Sequence, residues 1–536
     1  MLKWLAQSVR KNLTNTDLII LVALSLVVLL MAWRLIGKNS VPFEDGAILM
    51  RYSKHFAEGH GIVWNIGEKP VDGATDFLFM ALLAVLAKTG LSLEHAVIFT
   101  GVGSHLLTVW VLYFTLRATV KCSTWIALVS ALVLIVGPGL NYVALYFGTP
   151  FFALWAVIAW SIAFRMVLGT DPHRTLSCWF GVACLLMALT RPEGVFLSLF
   201  MLLSLVTYYR ISRIGASRET ILWFVTIFVL LGGSYFLWHW HYFGYPLPNP
   251  YYKKGGGHLH FDSFSASTTN SAKYISIYGL VFFAGLLNRT TRARSLFVLT
   301  PLLLFASIWI TMSNEMNHLR RFQYVILPLT CLSWPMILTA LLDLPAVQRR
   351  LESRSMRMGL SLLALAMVGI TSAIQARQVA RDTRFRTSQD DNYDIALALK
   401  RYSQEGYTLA TSEAGLLPLY SDWRTVDAWG LNDAWIAHHG GVTEEYLNRV
   451  APEVIIFHAA SDPRDPLHFS PDQYWGDVGY PWYSMSVVLS RYAVQHQYRL
   501  VGYKQGGDPA WYYYYFVKPD FKDSRAIAQQ LARILK

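Results

Sequence analysis

The sequence predicts a polytopic α-helical membrane protein of about eleven or more crossings, closed by a C-terminal α/β domain outside the lipid. Three observations predict it. Hydrophobic residues make up 54% of the 536 and charged residues only 15%, with 19 Trp, 29 Tyr and 29 Phe, more aromatics than a soluble core needs. Apolar runs recur from residue 18 to residue 374. From residue 376 the composition turns polar and strand-like runs such as "PEVIIFHAA" and "WYYYYFVKP" appear. The expected division is a membrane domain over 1–375 and an extracytoplasmic α/β domain over 376–536.

The elements follow in order from apolar length and from the basic residues of cytoplasmic loops. "MLKWLAQSVRKNLTNTD" is basic, has no small-x-small cleavage site after it and precedes the run Leu18–Ile36. It reads as an uncleaved signal anchor with its N-terminus inside. Phe77–Ala87 is too short for a hydrocarbon core of about 30 Å and reads as a dipping segment. Ala96–Leu116 returns to Arg117 and Lys121; Trp125–Tyr146 goes out to "FGTP"; Phe151–Leu168 comes back to Arg165 and Arg174. Leu176–Leu189 and Val195–Tyr209 flank "TRPEG", and Ile221–Trp240 leads out to "HYFGYPLPNPYYKKGGGHLH". Tyr274–Leu287 comes in to "NRTTRAR", Leu296–Met312 goes out to "SNEMNHLRRF", Tyr324–Leu342 comes in to "QRRLESRSMR", and Met358–Ile374 exits last. "ARQVARDTRFR" is basic yet outside in this scheme; it leads into a long domain, where the rule loses force.

The 46 Lys and Arg against 34 Asp and Glu give a net charge of +12. Cytoplasmic loops and anionic lipid account for it, and no basic domain stands apart to bind nucleic acid. Cys122, Cys178, Cys184 and Cys331 lie in or beside apolar segments, with neither metal spacing nor a disulfide framework.

The polar chemistry gathers on the outward side. One segment carries Glu44, Asp45, Arg51, His60 and Asp72; the others are "TRPEG" with Arg191, "YPLPNPYYKK" with Tyr251, Tyr252, Lys253 and Lys254, and "NEMNHLRRF" with Glu315, His318, Arg320 and Arg321. A carboxylate in one loop and concentrated cations in others suit a reaction in which a base activates a hydroxyl and cations hold a phosphate leaving group. Each piece also has a plain reading. Glu44 and Asp45 can serve as the acidic first turn of a helix starting near Gly46. Arg320 and Arg321 can bind lipid headgroups, Arg191 and Glu193 can form a structural pair about Pro192, and "WYYYYFV" can be core.

Taken together, "FEDGAILMRYSKHFAEGHGIVWNIGEKPVDGATDFLF", "TRPEG", "YFGYPLPNPYYKK" and "AGLLPLYSDWRTVDAWGLNDAWIA" resemble the bacterial GT-C glycosyltransferases. The branch is the one that contains the terminal arabinofuranosyltransferases. The first loop keeps that branch's pattern at Gly59, Gly61, Val63, Asn65, Gly67 and Glu68. It departs in having Glu44 beside Asp45 rather than a second Asp, and Ala74 and Asp76 where Tyr and Asn are more usual, which leaves sugar and acceptor open.

The resemblance implies an inverting enzyme of the bacterial plasma membrane. It would move a sugar, such as the pentofuranose arabinofuranose, from a polyprenyl-phosphate donor to a cell-envelope glycan or glycolipid acceptor on the extracytoplasmic face. Asp45 corresponds to the catalytic base, with Glu44 as the neighbouring acid. Lys253, Lys254, Arg320 and Arg321, with Arg191 and His318, are then candidates for the donor phosphate, and Arg51, His60, Asp72, Tyr251 and Tyr252 for the substrates. Two adjacent carboxylates could hold a divalent metal through water, but no further ligand set accompanies them, so none is expected. The rivals are a flippase or transporter, in which an internal repeat would be expected, an O-antigen-ligase-like protein, and a glycan-binding scaffold.

Overall fold

The structure is a computed structural model describing residues 14–36, 41–169, 173–351, 391–460, 479–505 and 511–536, with isolated positions 366, 369, 370, 373, 377 and 469. Apart from those isolated positions, the expected last crossing, Met358–Ile374, and the basic segment after it lie outside the described residues, as does most of the N-terminal leader.

Among the described residues eight helices are long and apolar enough to cross a membrane: Asn15–Leu35, Leu93–Val120, Thr124–Ala144, Thr149–Leu168, Glu193–Ile211, Ser217–Phe243, Arg292–Ile310 and His318–Leu342. Three shorter apolar helices, Phe77–Lys88, Arg174–Thr190 and Tyr278–Leu287, stand beside them. The chain is therefore a multi-pass membrane protein. Phe77–Lys88 has 12 residues, a rise of about 18 Å at 1.5 Å per residue, short of a bilayer core. It packs instead against the helix Glu44–Ala57, burying Phe79, Met80 and Leu83 completely. The inner helices carry the core around Trp160, which stacks on Phe297 at 4.5 Å between centroids. Asn15–Leu35 and Ser217–Phe243 instead expose rows of Leu, Val, Ile and Trp, the face lipid requires.

The C-terminal portion is a five-stranded sheet in the order β2-β1-β3-β5-β4: β1 (Thr408–Thr411), β2 (Arg424–Asp427), β3 (Val454–Ala460), β4 (Arg499–Gln505) and β5 (Trp511–Val517). β1 pairs in parallel with β2 and β3, and β5 runs antiparallel between β3 and β4. The aromatic strand is core on both faces. Tyr512, Tyr514 and Phe516 pack with Ile455 and Phe457 on one side, while Tyr515 and Val517 pack with Val454, Ile456 and the amphipathic helix Ser524–Ile534 on the other. The end of β2 is held by Asp427, whose buried carboxylate accepts from the amides of Trp429 and Gly430 (both 3.1 Å) and from both the backbone and side-chain nitrogens of Asn432 (both 2.9 Å). Burial raises that carboxyl to about 6, with the amides of Gly430 and Asn432 opposing the rise. Asp427→Ala strips four donors of their acceptor, so a loss of about 2–4 kcal/mol of stability is expected. Thermal unfolding in detergent measures it; an unchanged midpoint would refute the role.

This domain seats directly on the segment 41–76. Glu44 accepts from the amides of Gly415 (2.7 Å) and Leu416 (3.0 Å), and Trp64 Nε1 donates to the Thr425 carbonyl at 2.9 Å. Asn249 Nδ2 donates to the carbonyls of Gly430 and Leu431, both at 2.9 Å. Gly415 admits no side chain, because a Cβ there would collide with the Glu44 backbone and carboxylate.

Candidate active site

The helix Glu44–Ala57 begins with two carboxylates in its first turn, where the partial positive charge of a helix N-terminus favours them. The dipole reading of Glu44 and Asp45 is thus compatible with a functional one. Successive helical residues point about 100° apart, so the two side chains part company. Glu44 turns to the C-terminal domain; Asp45 turns into a cavity of about 500 Å³. Gly46 allows the close approach, since a Cβ there would lie 2.9 Å from the Leu145 carbonyl and 3.0 Å from that of Tyr146.

All four of the segments that carry the polar chemistry reach this cavity. Its wall includes Asp45, Asp76, Arg191, Glu193, Tyr251, Lys254, His260 and Arg321, with Tyr146, Phe147, Phe196, Trp309 and Phe322 as apolar surface. Arg321 forms an ion pair with Asp45, and its guanidinium lies 4.2 Å over the Phe147 ring and 5.2 Å over that of Phe322. Burial alone would raise the Asp45 carboxyl. The charges of Arg321, then His318 and Lys254, outweigh burial and hold it below its ordinary value, so it is ionised at neutral pH.

Arg321 is carried by a turn in which Leu319 and Arg320 are both left-handed, at φ +58° and +63°, a conformation costly for non-glycine residues. The buried Tyr142 hydroxyl donates to the Leu319 carbonyl at 2.8 Å, and Asn317 fixes the far end through the Phe322 amide (3.0 Å) and Gln323 Oε1 (2.7 Å). On the opposite wall Arg191 Nε donates to Glu193 at 2.6 Å and its Nη1 reaches Asp76 at 3.3 Å. The pair about Pro192 is therefore real, and it lines the cavity. Burial, reinforced by Glu193, raises the Asp76 carboxyl against the opposing charge of Arg191.

The remaining expected residues lie elsewhere, for physical reasons. Arg51 is 3% exposed and donates to the carbonyls of Trp64 (2.9 Å), Trp423 (3.0 Å) and Pro418 and to Asn65 Oδ1 (3.1 Å), a clamp between the first loop and the C-terminal domain. Asp72 pairs with His239 at 2.7 Å. His60 is exposed. Lys253 lies 4.1 Å over the Trp429 ring, where burial lowers its ammonium against the charges of Glu315 and Asp427. Tyr252 packs on His438, ring centroids 4.5 Å apart, and Arg320 is set toward Lys273, whose ammonium it depresses second to burial. His318 packs edge-on against Phe43 at 4.9 Å, beside Asp45 but off the cavity wall.

Asp76, Glu193 and His260 join the wall without having been expected as site residues. Asp76 had a signal in the sequence: it was an acid where the resembling branch carries Asn. The carboxylates that could have shared a metal diverge, Glu44 onto backbone amides and Asp45 onto Arg321, so the residues do not fit a metal held between them. What the cavity can do is accept a proton at Asp45 while Arg321 and Lys254 stabilise an anion beside it.

Two solved structures share this architecture. ArnT from Cupriavidus metallidurans bound to undecaprenyl phosphate matches with a TM-score of 0.53 at 13% identity, over 94% of this chain and 98% of that one. The archaeal oligosaccharyltransferase AglB from Archaeoglobus fulgidus, in complex with an inhibitory peptide and a dolichol-phosphate, matches at 0.51 and 12% identity, over 84% of this chain and 70% of that one. At these identities the likeness is one of fold: a polytopic helical membrane domain followed by a C-terminal domain. A family model described as a domain of unknown function, DUF8728, matches residues 377–515. No curated protein matches the chain.

Proposed function

We propose that the chain is an inverting glycosyltransferase that takes a sugar from a polyprenyl-phosphate donor and transfers it to a glycan or lipid acceptor of the cell envelope. It would work on the extracytoplasmic face of a bacterial plasma membrane. The observation that carries this is the meeting of Asp45, Arg321 and Lys254 around one cavity in a membrane fold shared with a protein bound to undecaprenyl phosphate. The acceptor hydroxyl oxygen attacks the anomeric carbon from the Asp45 side as the bond from that carbon to the phosphate oxygen breaks. The hydroxyl proton passes to Asp45, and the polyprenyl phosphate leaves with its charge held by Arg321 and Lys254. Three cations and three carboxylates line the wall, and Arg191 is already shared by Asp76 and Glu193. Arg321 and Lys254 remain for the donor, a complement suited to a monophosphate. The resemblance at Gly59 to Glu68 favours a pentofuranose such as arabinofuranose as the sugar.

The test is purified protein in detergent with a panel of short-chain polyprenyl-phosphate sugars, read by mass spectrometry. A lipid-linked precursor accumulating in a deletion strain would identify donor and acceptor together. No transfer from any donor, with a glycolipid moved across vesicles instead, would favour a flippase. Tyr142 supplies a subtler check. Tyr142→Phe removes one hydrogen bond from the turn that aims Arg321, about 0.5–1.5 kcal/mol, so KM for the donor should rise about twofold to tenfold at that energy. A change confined to the acceptor KM would contradict it.

A further inference from the structure

The cavity holds its own base in check. On the glycosyltransferase reading above, we propose that Arg321 is an exchangeable counter-ion. It is paired with Asp45 until the donor phosphate takes its guanidinium, so that the donor binds first and thereby frees the base for the acceptor.

Four observations carry this. Arg321 is ion-paired to Asp45 on the cavity wall with its side chain 9% exposed, and a carboxylate so neutralised is a poor acceptor for a hydroxyl proton. Second, Arg321 Nε is buried and makes no hydrogen bond among the described residues. A buried donor left unmade is unfavourable, and the two non-bridging oxygens of the donor phosphodiester can take a guanidinium edge, Nε included, as a bidentate pair. Third, the guanidinium lies over Phe147 and Phe322, flat surfaces across which its edge can turn while the cation–ring contact is kept. Fourth, no other wall cation is committed in this way. Arg191 is gripped by two carboxylates, and Lys254 donates to the Glu315 carbonyl at 3.2 Å, so neither can release Asp45.

The groups that face Asp45 define what should change when the phosphate arrives. They are Arg321 and His318 from the turn, Lys254 from the 249–254 loop and Glu413 from the C-terminal domain, with Glu44 beside it and Asp76 across the cavity. Drawing Arg321 toward a new anion weakens the largest favourable charge on the Asp45 carboxylate and adds a negative one. The base becomes stronger only in the donor complex.

Binding of a polyprenyl monophosphate to the full-length protein in detergent micelles provides one test. Asp45→Asn should bind it about tenfold more tightly than wild type, and the gain should vanish in the Asp45→Asn/Arg321→Met double variant. Equal or weaker binding by Asp45→Asn overturns the exchange, as does a gain that survives without Arg321, because that gain would be through-space charge alone. The second test uses wild type and needs no variant to fold. The acid limb of kcat, which reports the donor complex, should lie about one pH unit above the acid limb of kcat/KM for the donor, which reports the free enzyme; coincident limbs overturn the proposal. An Asp45→Asn protein that turns over at the wild-type rate defeats the base assignment itself, whereas one of strongly reduced rate and wild-type affinity defeats only the exchange.

Discussion

Asp45→Asn is expected to lower turnover by about 10²–10⁴-fold, the usual contribution of a positioned general base, while the protein still folds and still binds the lipid phosphate. Asn keeps the shape of the side chain and can accept from Arg321, so the packing around Gly46 and Phe147 need not change. On the proposed function, what is lost is the acceptor for the hydroxyl proton, on a group whose cationic surroundings keep it ionised through the neutral range. The check is initial-rate measurement with saturating donor, alongside a thermal unfolding curve. A variant of wild-type rate would leave the cavity without a base, since Asp76 and Glu193 are both engaged by Arg191. Glu44→Gln, one residue away, should cost far less, because an amide oxygen can still accept from Gly415 and Leu416.

Arg51→Met is expected to have the largest effect on stability. Four buried oxygens lose the Arg51 guanidinium together: the carbonyls of Trp64 and Pro418, and the Trp423 carbonyl and Asn65 Oδ1, which keep only the Thr425 hydroxyl and amide, at about 3–5 kcal/mol for the lost charged hydrogen bonds. Because Arg51 sits in the seam between the first loop and the C-terminal domain, the variant should also become more sensitive to protease at that domain. The measurement is unfolding in detergent with limited proteolysis. An Arg51 that bound substrate would show the opposite pattern, a raised KM at unchanged stability, and that result would remove the clamp.

Much of the fold was legible because lipid is a demanding solvent. Backbone groups must be satisfied within each segment there, so apolar length picked out the long helices, and the short run at Phe77–Lys88 is a 12-residue helix packed against Glu44–Ala57. The alternation in "WYYYYFV" likewise announced a strand with two buried faces. The candidate site was legible as a set of loops and not as a set of side chains. "TRPEG" reads equally as a structural pair or a site motif, and in the structure the pair lines the cavity, with Arg191 and Glu193 joined on its wall by Asp76.

By itself the sequence determined a multi-pass membrane protein, the polar segments that would meet, and Asp45 as a candidate acid. Tertiary structure alone decided which member of each neighbouring pair faces the cavity: Asp45 and not Glu44, Tyr251 and not Tyr252, Lys254 and not Lys253, Arg321 and not Arg320. Chemically similar neighbours are distinguished only by rotation about the backbone. The surfaces that claim the discarded partners, Gly415 for Glu44, His438 for Tyr252 and Trp429 for Lys253, exist only once a domain about 175–370 residues distant in the chain has docked.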